Sequence, residues 1–187
     1  SPMQINLLKF KPGGAYVGYA EITYTATDEK GVSDQTPATL TLQLVNQPPV
    51  TTDISAPTIQ NPVGTSQVGL PKLAAVDHDG TIASYMITNI PPASQGTLYL
   101  NNLPVSNNQV ITPAQADDLK FDARDNFAGV AKFYFTSTDN DGLTDNTPAT
   151  YNIPVKDILP VATNVNNENM NAGAGLTSIK PLVGNDP

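Results

Sequence analysis

Displaced by 111 residues, the chain matches itself. Residues 8–53, beginning "LKFKPGGAYVGYAEITYTATDEKGVSDQTPAT", lie over residues 119–164, beginning "LKFDARDNFAGVAKFYFTSTDNDGLTDNTPAT", and 17 of these 46 positions are identical without a gap. Further along, "LPKLAAVD" (70–77) lies over "IKPLVGND" (179–186) at an offset of 109, which keeps Leu73 over Leu182 and Asp77 over Asp186. Self-similarity at a period of about 110 residues implies stacked structural units. The expected organisation is the C-terminal half of one repeat over residues 1–46, a complete repeat over 47–157, and the N-terminal part of a following repeat over 158–187. The boundaries fall at "NQPPV" and "DILPV", where proline favours extended backbone and limits bending, so an array with such joints is an extended rod. Each end piece lacks the middle strands of a repeat, and even together they cannot complete one.

Seventeen prolines and thirteen glycines punctuate short Val, Ile, Leu, Tyr and Phe runs, the composition of strands joined by turns. No window shows a sustained helical stripe. Within the complete repeat, period-two runs predict strands near 50–59, 68–76, 82–90, 96–100, 109–112 with 118–121, 129–138 and 149–156. In the sixth, Ala131, Phe133, Phe135 and Ser137 point one way and Lys132, Tyr134 and Thr136 the other. The first copy repeats this with Ala20, Ile22, Tyr24 and Ala26 inward and Glu21, Thr23 and Thr25 outward. Seven strands in a repeat of this length predict an all-β fold, an immunoglobulin-like antiparallel β-sandwich without the Cys and Trp signature.

The stretches "PPV" (48–50), "AVDHDGTIASYMITNIP" (75–91), "GTLYLNNLPV" (96–105) and "LKFDARDNFAGVAKFYFTSTDNDGLTDNTPATYNIPV" (119–155) resemble the immunoglobulin-like or cadherin-like tandem repeats of giant bacterial surface adhesins. The likeness covers the central repeat and both end pieces. The Asn and Thr richness is similar to repeats of large surface proteins of gliding bacteria. The resemblance implies extracellular display on a cell surface, neighbouring repeats of the same chain as partners, and calcium as the ion such repeats take.

The aspartates invite a functional reading of their own. "DNDGLTD" is not an EF-hand loop, because counting from Asp139 the glycine comes fourth and Thr150 twelfth. Calcium also binds between loops, accepting six to eight oxygens in flexible geometry. In an immunoglobulin-like sandwich the loops after the second and sixth strands share a pole with the incoming linker. That arrangement predicts a Ca2+ site formed by Asp77, Asp79, Asp139, Asp141 and Asp145, stiffening the junction at Pro48–Val50, since converging carboxylates repel one another without a cation. The competing reading is that "DHDG" and "DNDG" are tight turns in which Asp and Asn bond their own backbone and Gly takes positive φ. The first copy, "DEKGVSD", keeps Asp28, Gly31 and Asp34 but places Lys30 where the second has Asp141. "TPAT" at 36–39 and 147–150 reads as the start of the last strand.

Other classes find little support. A net charge of −8 repels nucleic acid and anionic membranes, and no stretch approaches the roughly 20 apolar residues of a membrane span. With no cysteine and His78 alone in an expected exposed turn, nucleophile–base pairs are hard to build, so no catalytic residue is assigned. Asp117 and Asp118 read as solvated loop charges. Tyr85, Tyr99 and Tyr134 sit in strands at alternating spacing, where packing explains them better than sugar stacking. The chain therefore reads as a structural stalk or spacer of an exported adhesin. Its alternatives are an adhesive repeat binding a glycan or surface protein, and an accessory domain of a secreted polysaccharide-degrading enzyme.

Overall fold

The computed structural model describes residues 7–14, 16–61, 64, 66–166, 173 and 178–185. Nearly all of its regular structure is β. An N-terminal hairpin pairs β1 (Gly18–Tyr24) with β2 (Ala38–Leu44). The central segment holds β3 (Val50–Thr51), β4 (Ile54–Ser55), β5 (Ile59–Gln60), β6 (Val68–Gly69), β7 (Ala75–Val76) and β8 (Ile82–Asn89). It continues through β9 (Gly96–Leu100), β10 (Leu103–Pro104), β11 (Gln109–Ile111), one helical turn α1 (Pro113–Ala116), β12 (Leu119–Ala123), β13 (Gly129–Asp139) and β14 (Ala149–Lys156). A last pair joins β15 (Val161–Thr163) to β16 (Val183–Asn185).

Two larger sheets form in the central segment, one of order β11-β8-β13-β14-β4, with β5 also on β14, and one of order β10-β9-β12-β6. Their ladders are antiparallel except that β4 and β5 run parallel to β14. Period-two alternation along β13 buries Ala131, Phe133, Phe135 and Ser137, each 0% exposed, and leaves Lys132 and Tyr134 outside. Thr136 is buried too, just past an irregularity between Tyr134 and Phe135. The inner residues of both sheets, Ile87, Phe133 and Tyr151 from one and Leu98, Leu119 and Phe121 from the other, belong to one hydrophobic cluster. At its centre the Phe133 and Tyr151 rings stack with centroids 4.5 Å apart.

The expected strand 50–59 is divided into β3, β4 and β5, which move from pairing with β7 to pairing with β14. Pro57 lies in the gap and has no N–H for a continuous ladder. The expected strand 68–76 is likewise divided into β6 and β7 around Pro71. The turn α1 was not expected, although its capping box is written in "TPAQ": Thr112 Oγ1 accepts from Gln115 N, and Gln115 Oε1 accepts from Thr112 N.

The strand pairs at the two ends keep the registers of strand pairs in the centre. Gly18↔Leu44 to Tyr24↔Ala38 matches Gly129↔Val155 to Phe135↔Ala149 at the 111-residue spacing. The lone bridges Thr27↔Ser33 and Thr138↔Thr144 match in the same way. Val161↔Asn185 and Ala162↔Gly184 match Val50↔Val76 and Thr51↔Ala75. Burial differs. Ile22, Tyr24 and Ala26 were expected inside but are exposed, and Ala20 is half-buried, because no second sheet covers β1–β2 among the described residues. Asp186 lies outside the described residues.

Candidate functional site

Prolines 48 and 49 leave the segment 46–51 with few backbone donors, and those donors have to be satisfied where the segment enters the central sheets. Carboxylates do this. Gln47 N donates to Asp79 Oδ2 at 3.0 Å and Thr51 N to Asp145 Oδ2 at 2.7 Å. The Asn46 side-chain amide donates to Asp139 Oδ2 at 2.7 Å. Between these bonds Pro49 is fully buried.

Each carboxylate is fixed by its own loop. Asp139 Oδ1 accepts from Asp141 N and Leu143 N, both at 2.9 Å. Asp145 Oδ1 accepts from Thr147 N at 2.8 Å and from Thr147 Oγ1 at 2.5 Å. Asp77 Oδ1 accepts from Asp79 N at 3.2 Å. The two loops are latched together, because Asn140 N donates to Thr81 O at 3.0 Å and Thr81 N to Asn140 Oδ1 at 2.7 Å. Gly80 lets the two loops approach, since a Cβ would lie 2.5 Å from Asn140 Oδ1 and 2.6 Å from Asp77 Oδ2 and would push both side-chain oxygens aside.

Asp139 and Asp145 are 2% and 7% exposed. Burial opposes their ionisation, but hydrogen bonds outweigh it: from Asn46 and the 141–143 amides to Asp139, and from Thr147 and Thr51 to Asp145. Both carboxyls are therefore held below the usual carboxylate range. Behind Asp145, Thr51 Oγ1 and Ser137 Oγ lie 2.8 Å apart and Thr51 Oγ1 accepts from Ser137 N at 3.1 Å. Asp53 Oδ1 accepts from Thr150 N at 2.7 Å.

Four of the five aspartates singled out in the sequence thus meet at this junction or in the loop latched to it. Asp139, Asp145 and Asp79 bond the linker directly, Asp77 supports Asp79, and the Asp141 side chain is exposed. Among the described residues no three carboxylate or imidazole groups cluster closely enough to hold a metal ion between them. Three oxygens of the joint, Asn46 Oδ1, Asp77 Oδ2 and Asp79 Oδ1, are buried acceptors without a hydrogen-bond donor. Sequence reasoning missed the donors Asn46, Gln47 and Thr51, and the latch residue Asn140.

The turn geometry is common to both copies. Asp28 Oδ1 accepts from Lys30 N and Val32 N, and Asp34 Oδ1 from Thr36 N and Oγ1, as Asp139 and Asp145 do 111 residues later. The tyrosines do not form one surface. Tyr85 is buried and reaches Leu73 O at 3.4 Å, while Tyr99 and Tyr134 face outward from different sheets. His78 is exposed, and no described helix is long and apolar enough to cross a membrane. No protein-family model and no curated protein matches the chain.

Proposed function

We propose that the chain is a stretch of tandem immunoglobulin-like, cadherin-like sandwich repeats acting as a stalk or spacer in a long exported cell-surface adhesin. The fold reading is supported by the first strand, whose parts contribute to pairing on β7 and then run parallel to β14, and by a core shared between two sheets. The observation that carries the function is the joint itself. Three carboxylates of the central segment grip three successive points of the incoming linker, Asn46, Gln47 and Thr51. A joint held this way transmits orientation from one unit to the next, which is what a spacer has to do.

The test is residual dipolar coupling. In the native chain the β1–β2 hairpin and the central segment should share one alignment tensor. Asn46→Ala combined with Asp79→Ala should separate the tensors while both parts stay folded. Independent tensors in the native chain would sink the reading.

The three orphaned oxygens fit a hard cation, being buried acceptors of the kind calcium takes. Asn46, Asp77 and Asp79 would hold the ion, which supplies positive charge to an acidic joint, and Asp139 and Asp145 keep the linker in place through hydrogen bonds. Calorimetric unfolding with excess calcium should then show a higher Tm than with chelator, and Asp77→Asn with Asp79→Asn should abolish the difference. Equal Tm values would leave the joint to hydrogen bonds and proline alone.

A further inference from the structure

Pulled along its length, the chain loads the joint and the first strand in different ways. The central segment is entered at Asn46 and left beyond Lys156, and β4 and β5 run parallel to β14. Entry and exit therefore lie at opposite ends of the ladder that joins the first strand to the last. Tension drives β4 and β5 one way and β14 the other, so this ladder slides in shear and its bonds bear the load together. Resting on the reading of the joint as a grip on the linker, we infer that residues 46–50 form a tension-released element. Under load they come away as one reversible step while the sandwich stays closed.

The two sets of bonds differ in what breaks them. In the ladder, Ala56 N donates to Asn152 O at 2.8 Å and Asn61 N to Lys156 O at 2.9 Å, and Ala56, Ile59 and Asn61 are all buried. Sliding it breaks bonds along its whole length at once and draws Ile59 out of the core. The linker is held instead at separate points on separate loops, Asn46 on Asp139 and Gln47 on Asp79, so it peels one bond at a time. The Gln47 bond is exposed, and water takes over its donor and acceptor as they part. Pro48 and Pro49 add no donor of their own.

Peeling stops at Thr51. Its N–H donates to Asp145 Oδ2 at 2.7 Å, its hydroxyl accepts from Ser137 N at 3.1 Å, and Thr52 N donates to Ala74 O at 3.0 Å. Within 46–50 Pro49 alone is buried. It has to leave its seat before the segment lengthens, which makes release a single event rather than gradual creep. Five residues extend by at most about 18 Å. A spacer built this way keeps its orientation at low load and yields by a short fixed length before a repeat unfolds.

Single-molecule force spectroscopy on the whole chain tests this. The chain has no cysteine, so Val45→Cys and Leu159→Cys, both at exposed positions, give unique attachment points. They place the load on the central segment whatever precedes or follows it. A reversible lengthening of at most about 18 Å should appear at lower force than the main rupture. Adding Asn46→Ala with Asp79→Ala should abolish the short step and leave the main rupture force unchanged. Ile59→Ala should lower the main rupture force and leave the short step in place. A single rupture with no step before it, a step that survives the paired substitution, or a step that Ile59→Ala moves together with the main rupture would each overturn the inference. Shared alignment tensors with a single rupture would fault the inference alone, whereas independent tensors would fault the grip on which it rests.

Discussion

At the scale of single residues the joint depends on acceptors that each serve several donors. Asp145 takes Thr51 N on one oxygen and Thr147 N and Oγ1 on the other, so Asp145→Ala orphans three donors at once. Thr147 is exposed and its donors can turn to water, while Thr51 is half-buried, so the loss should be about 1–2 kcal/mol in urea unfolding. Asp34 makes the same bonds to Thr36 in the first hairpin but is solvated, so Asp34→Ala should leave the main transition where it is. Equal losses from the two substitutions would show that the turn, not the grip on the linker, matters. Gly80→Ala should push Asn140 away from Thr81 and speed exchange of the Thr81 amide. The acceptors were legible in the sequence because D-x-x-G-x-x-D-x-T occurs twice. Their partners were not, since the N–H groups of Gln47 and Thr51 carry no side-chain signature, and the position 111 residues after Asn46 holds Asp157 instead of an amide.

Elements were readable where alternation is long and uninterrupted. The expected strands 82–90, 96–100, 129–138 and 149–156 correspond to β8, β9, β13 and β14 within a residue at either end, because each buries one face and a one-residue slip would expose it. Strands near proline were less readable, since Pro57 and Pro71 divide runs that hydropathy alone joins. Burial of an element is a property of its neighbours, and the two matching hairpins separate it from sequence pattern. Phe133 stacks on Tyr151 inside the core, so Phe133→Ala should cost about 3–5 kcal/mol in urea unfolding. Ile22→Ala, at the equivalent position of β1, removes a side chain already 42% exposed and should not move that transition. A comparable loss at Ile22 would mean that β1–β2 unfolds as one unit with the central sheets.

Over the whole molecule, the acidic joint ties stability to pH in a defined direction. Asp139 and Asp145 have native pKa values lowered from 3.8, so between the native values and 3.8 the unfolded chain binds more protons than the folded one. Their contribution is therefore complete above the unfolded value, constant through neutral pH, and lost as pH falls through the native values. Tm should be level from pH 7 to about 5 and should decline steadily below about 4. Asp145→Asn should give a shallower decline, since one of the two groups no longer titrates. A decline that begins near pH 6 would exclude Asp139 and Asp145 as its cause, and an unchanged slope in Asp145→Asn would remove Asp145 from the acid response. The same protonation turns one acceptor oxygen of each carboxyl into a donor and weakens the bonds from Asn46 and Thr51, so the shared alignment of hairpin and central segment should disappear over the same pH interval.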